Sequence, residues 1–221
     1  MSTKIVAVGA VKHALTRLQH LDTLPPAEIS FFTAGGARDA VLAGAACGLV
    51  FTSEPAMGAL VKAGRVLPPA TVVGRTGLGF AVPAGAAELD TADLATALRA
   101  PPRIAMADPA SGATAGTHFQ AVLEKLGLAA ELAPRITRHA NGMLAVAEVA
   151  AGRADVGVSQ VTEIVPTEGV ELGGTLPEAL QMWTAYVAAL TPAADDGARL
   201  WFNALAGDIA RETFHATGFA Q

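Results

Sequence analysis

The chemistry on offer in this chain gathers at four turns of small residues: Gly9-Ala10-Val11, Ala34-Gly35-Gly36, Asp108 to Gly116, and Asn141-Gly142. Each turn follows a strand-like run and opens a segment with helical spacing. The first N–H groups of such a helix have no partner inside it, and with the positive end of the helix dipole they suit an anion. Small side chains let a ligand approach the backbone closely. Polar residues stand beside the turns. Lys12 and His13 occupy the first helix turn, and Arg38 lies just past Gly35-Gly36. Ser111, Gly112, Thr114, Gly116 and Thr117 lead to His118, and His139 precedes Asn141. Lys and Arg so placed can hold a carboxylate. Glu163 is a capable general base if buried. Plainer readings fit the same residues: Lys12 and Arg38 as solvated charge, His118 as a polar helix-face residue, Asn141 as a helix cap, and Glu163 as a surface carboxylate on a short helix. His20 and His215 read as surface residues.

Several chemistries are excluded. There is no Gly-x-Ser-x-Gly elbow, no Walker-type phosphate loop and no His-Glu-x-x-His helix. Cys47 is the only cysteine, so neither a disulfide framework nor a cysteine metal cluster is available, and a small buried hydrophobe is its expected role. No metal and no cofactor are expected. With 15 Lys and Arg against 20 Asp and Glu, the net charge of −5 gives no positive field for nucleic acid. Trp183, Trp201 and Phe202 read as core, not as a stacking platform for bases. The Gly74-Arg75-Thr76-Gly77-Leu78-Gly79 run opens no helix and reads as a turn between extended segments.

The elements that must position these residues alternate. Strands are expected at Ile5 to Val8, Ile29 to Thr33, Gly48 to Thr52, Thr71 to Arg75, Leu78 to Val82, Arg103 to Ala107, Ile136 to His139, Asp155 to Ser159, Val170 to Leu172 and Trp183 to Leu190. Helices are expected from Lys12 to Leu21, Ala37 to Ala43, Glu54 to Ala63 with Ser53 as cap and Gly64 as stop, Thr91 to Ala100, Thr117 to Leu128, Gly142 to Ala151, Val161 to Ile164, Asp195 to Ala206 and Gly207 to Ala216. Such alternation predicts an α/β protein with mostly parallel sheets flanked by helices. Hydrophobic residues at 52% and charged ones at 16% suit a large α/β core. No stretch reaches the roughly 18 apolar residues of a membrane span. Met1 to Lys4 lead into the first strand without a signal-peptide pattern, so the expected location is cytoplasmic as written, or periplasmic if a signal peptide has been removed.

Taken in order, several short runs resemble the molybdate-binding branch of the type 2 periplasmic solute-binding proteins. They are the first strand and its turn, Thr33-Ala34-Gly35-Gly36-Ala37-Arg38, Ala43-Gly44-Ala45 before Leu49-Val50-Phe51, Asp108-Pro109 with Ala115-Gly116, Leu123 to Gly127, Val146-Ala147-Glu148, Ala154 to Val158 and Thr217-Gly218-Phe219. The resemblance covers nearly the whole chain. It implies a two-lobed periplasmic-binding-protein type 2 fold with a ligand cleft between the lobes and hinge closure over the solute. Lobe 1 would be residues 1–78 plus 183–221, and lobe 2 residues 79–182. It also marks departures. Ala10 and Ala34 stand where the family uses Ser hydroxyls, Gln160 where it has Tyr, and Glu163 where it has Asp.

The implied function is capture of a small anion, a carboxylate or an oxyanion, by helix N-terminal amides. The binding set would be Gly9, Ala10, Val11, Lys12, Ala34, Gly35, Gly36, Arg38, Ser111, Gly112, Thr114, Gly116, Thr117, Asn141, Gly142 and Gln160, and an ABC permease is the partner if the chain is exported. Missing hydroxyls and nearby Lys, Arg and His favour a di- or tricarboxylate over molybdate. Aconitate isomerase shares the overall plan, so isomerisation of a small unsaturated acid is the alternative, with Lys12, His13, His118 and Glu163 as candidate acid–base groups. A cytoplasmic ligand sensor is a third reading.

Overall fold

The computed structural model describes residues 2–220; Met1 and Gln221, assigned above to lobe 1, lie outside the described residues. In chain order the strands are β1 (Thr3–Val8), β2 (Ala27–Phe32), β3 (Leu49–Ser53), β4 (Thr71–Thr76), β5 (Leu78–Pro83), β6 (Ile104–Ala107), β7 (Ile136–His139), β8 (Val156–Gln160), β9 (Val170–Thr175) and β10 (Thr184–Leu190). The helices are α1 (Lys12–Gln19), α2 (Ala34–Leu42), α3 (Glu54–Lys62), α4 (Leu94–Arg99), α5 (Thr114–Lys125), α6 (Ala129–Leu132), α7 (Gly142–Ala150), α8 (Val161–Ile164), α9 (Asp196–Ala204) and α10 (Asp208–Ala216). They form two units. One runs to Arg75 and resumes at Thr184, and the other is Thr76–Trp183.

The first unit holds a five-stranded sheet in the order β2-β1-β3-β10-β4. β1 runs parallel to β2 and β3, whereas β10 is antiparallel to β3, with Tyr186 opposite Ser53. Ile5, Leu15, Leu49, Phe51, Leu60 and Trp201 are fully buried around it. The Trp201 indole donates to the Pro25 carbonyl at 2.9 Å, so the largest core side chain keeps its one polar atom satisfied. Asp195 caps α9 by accepting from the Ala198 N–H at 2.7 Å, and also accepts from the Thr3 hydroxyl. Cys47 is buried in this core, and burial raises its thiol pKa.

The second unit repeats the plan in the order β7-β6-β8-β5-β9. β6 is parallel to β7 and β8, and β5 is antiparallel to both β8 and β9. Alternation along β8 sends Val156 and Val158 into the α5 side, with Phe80, Met106 and Phe119. Gly157 faces α7, where an added Cβ would lie 2.9 Å from Val149 and 3.1 Å from the Ala145 carbonyl. That glycine lets α7 close onto the sheet, with Ala145 and Val146 in one buried cluster with Ala81 and Ala105.

Several expectations are corrected. Each sheet also takes in an antiparallel strand, because β5 and β10 enter without the helical crossover that parallel pairing needs. Leu78, assigned to lobe 1, pairs with Gln160 inside the second unit's sheet. α5 begins at Thr114, a turn earlier than expected, since the chain is already extended at Ala113. β9 runs on to Thr175, and α6 is an additional short helix. Ser53 sits at the N-cap position of α3 but makes no side-chain cap. Trp183 is 46% exposed and is not core. No helix among the described residues is long and apolar enough to cross a membrane.

Candidate functional site

Parallel strands carry their following helices off the same sheet edge, which is where ligands of open α/β sheets bind. In the second unit β6, β7 and β8 end together, and α5, α7 and α8 start from that edge. The edge is tied internally. Asp108 N–H donates to the His139 carbonyl at 2.7 Å and Val161 N–H to the Gly77 carbonyl at 3.0 Å. Gly116 lies on the Ala107 carbonyl so closely that any Cβ would overlap it, which holds the first turn of α5 against the end of β6. α5 has Ala113 at its N-cap and no side-chain cap, whereas Asn141 caps α7 by accepting from the Leu144 N–H at 3.0 Å.

Two side chains define the polar character of this edge. Glu163 is buried, accepts from the Ser159 hydroxyl, and sits where a Cβ on Gly142 would be, so the carboxyl abuts the first residue of α7. Burial lifts its pKa to about 6, against the lowering effect of the Ser159 hydroxyl and the Gln160 N–H. Gln160, one strand residue past Ser159, is only 3% exposed, and neither its amide nitrogen nor its amide oxygen has a hydrogen-bond partner. The Thr162 hydroxyl beside it is in the same state. Buried polar atoms without partners are uncommon in native proteins and call for an explanation, a ligand among them.

The remaining predicted residues distribute as follows. Ser111 donates its hydroxyl to the Asp108 carbonyl at 2.7 Å, and Gly112 takes a left-handed conformation with φ of 73°. These two belong to a self-closed turn, Pro109–Ser111, capped by Asp108. Thr114, Gly116 and Thr117 lie in the first turn of α5. A His118 ring nitrogen lies 2.7 Å from the Leu180 carbonyl, so the ring fastens α5 to the returning chain. In the first unit Gly9, Ala10 and Val11 form a fully buried 3-10 turn before α1. Ala34, Gly35 and Gly36 begin α2, with the Gly36 N–H spent on the Thr33 hydroxyl at 3.1 Å. Lys12 Nζ stands 5.8 Å from the centre of the Phe31 ring. Half-burial lowers the His13 pKa, helped by the charges of Lys12 and Arg17. Arg38 pairs with Asp39 in the open.

Among the described residues His118 and Glu163 of the second unit share no hydrogen bond, and no cluster of three or more His, Cys, Asp or Glu could hold a metal ion. Two polar residues escaped the sequence reading. Ser159 had no signal beyond strand alternation. Gln181 accepts from the Leu78 N–H at 2.8 Å and donates to the Leu78 carbonyl at 2.9 Å. Its carboxamide thus fastens the start of β5 to the segment that leaves the unit.

Two α/β units of this plan, each with helices rising from the ends of parallel strands, are the fold of the two-lobed periplasmic binding proteins. The family model for bacterial extracellular solute-binding proteins matches residues 5–220, and the chain belongs to that family. Solved structures agree in fold. The Azotobacter vinelandii periplasmic molybdate-binding protein aligns with a TM-score of 0.82 at 21% identity, over 100% of this chain and 99% of that one. The substrate-binding domain of a molybdenum ABC transporter from Clostridium difficile gives 0.70 at 18%, over 100% and 98%. The sulfate-binding protein of Mycobacterium tuberculosis gives 0.74 at 18%, over 99% and 86%. A search of curated protein sequences gives no match.

Proposed function

We propose that this solute-binding protein captures a small anion, a carboxylate or an oxyanion, with main-chain amides at helix N-termini, and delivers it to an ABC permease outside the cytoplasm. The observation that carries the reading is Gln160: a buried carboxamide with no partner, at the sheet edge where α5, α7 and α8 begin. The first turns of α5 and α7 supply the N–H donors there. The turns at Gly9–Val11 and Ala34–Gly36, with Lys12 and Arg38 beside them, are the same device on the first unit's sheet. Solved relatives by fold are described as binding molybdate, sulfate and tungstate, all anions. The family description, extracellular, supports the periplasmic alternative over the cytoplasmic one.

A thermal-shift screen of sodium salts of molybdate, sulfate, phosphate and small mono-, di- and tricarboxylates tests this. A ligand bound only by the folded chain stabilises it by about 2.7 kcal/mol at 100 times its Kd. At least one anion should raise Tm by several degrees over sodium chloride at equal ionic strength. No shift from any of them would remove the reading.

A further inference from the structure

We propose that the captured solute is an α-hydroxycarboxylate, an anion that brings its own hydrogen-bond donor, and that the Gln160 side chain recognises it. The inference rests on the anion-capture reading above and names the ligand class. A carboxamide presents a donor, Nε2, beside an acceptor, Oε1. Both are buried and unpartnered in Gln160. Alternation along β8 places Gln160 on the α5 side with Val156 and Val158, at the end where the uncapped first turn of α5 lies. A molybdate or sulfate dianion carries acceptors alone: it can take the Nε2 proton but leaves Oε1 stripped of water with nothing in return. An α-hydroxycarboxylate sets a hydroxyl and a carboxylate oxygen on adjacent carbons, satisfying both amide atoms together.

The Thr162 hydroxyl is itself unpartnered and makes no bond to the Gln160 amide, and the neighbouring serines are committed elsewhere. Ser111 donates to the Asp108 carbonyl, and Ser159 is engaged with Glu163. An α-amino acid would also bring a donor, but its ammonium charge opposes the positive ends of α5 and α7.

The test is isothermal titration of the full chain with matched pairs that differ by one hydroxyl: lactate and propionate, malate and succinate, citrate and tricarballylate. Molybdate, sulfate and phosphate are titrated alongside. One hydroxylated member should bind about tenfold or more tighter than its deoxy partner and tighter than every inorganic anion, the size expected for an unpaired buried acceptor. In Gln160→Met, which keeps the shape and removes both polar atoms, the pair should converge to within about threefold. If that variant does not fold, the wild-type pair difference decides alone. Equal binding within each pair, tightest binding of molybdate, sulfate or phosphate, or a hydroxyl preference that survives intact in folded Gln160→Met overturns the proposal while leaving anion capture standing. Binding of nothing in the panel removes anion capture and this proposal together.

Discussion

Replacing Glu163 by glutamine isolates the cost of burying a carboxyl at the start of α7. Burial raises the Glu163 pKa from 4.5 to about 6. At about 1.4 kcal/mol per pH unit, that difference corresponds to about 2 kcal/mol. The sign follows from proton binding. Between pH 4.5 and about 6 the folded chain holds a proton at Glu163 that the unfolded chain has released, so stability falls as pH rises through this window and the full cost is present above it. A glutamine side chain cannot ionise, and its amide can still bond the Ser159 hydroxyl. Glu163→Gln should therefore gain on the wild type by about 2 kcal/mol between about pH 4 and about pH 7.5, with no further gain at higher pH. Guanidinium chloride unfolding of both proteins at closely spaced pH values measures the difference, and every group that titrates alike in both cancels. A pH-independent difference, or one that shrinks as pH rises, would refute the assignment of Glu163 as a buried, burial-shifted acid.

Other outcomes follow from single contacts. Gly142→Ala should destabilise by about 1–3 kcal/mol in the same denaturant assay, because its Cβ would overlap the Ser159 hydroxyl and the Glu163 carboxyl. Gln181→Leu strips the Leu78 N–H and carbonyl of their partners; a loss of about 1–3 kcal/mol and faster amide hydrogen exchange at Leu78 are expected. Trp201→Phe leaves the Pro25 carbonyl unpaired and a gap in the first core, so a fall in Tm corresponding to about 1–3 kcal/mol should appear in calorimetry.

Much of the scaffold was legible along the chain. Apolar spacing found β1, β3, β6 and β8 and the helices after them, and Asn141 announced the N-terminus of α7 by residue type, because capping acts over three residues. Boundaries failed where local cues compete. Thr114 to Gly116 read as a turn of small residues, but Gly116 lets that stretch lie helically on the Ala107 carbonyl. Ser53 carries a capping residue type and yet makes no cap, with Pro55 in the first turn.

The sequence alone determined where donor-rich turns fall, because a strand, a few small residues and a helix are each set by neighbours within a turn or two. It also determined the shortage of hydroxyls at Ala10 and Ala34 and the balance of charge. Only the tertiary structure decided the state of the polar groups among them. Glu163 became a shifted acid because Gly142, twenty-one positions earlier, leaves room for its carboxyl. Gln160 became a buried, unpartnered amide at a position where β5 runs antiparallel beside β8, with Leu78 opposite it in the ladder. Burial and hydrogen-bond satisfaction are sums over groups remote in sequence, and no local pattern encodes them.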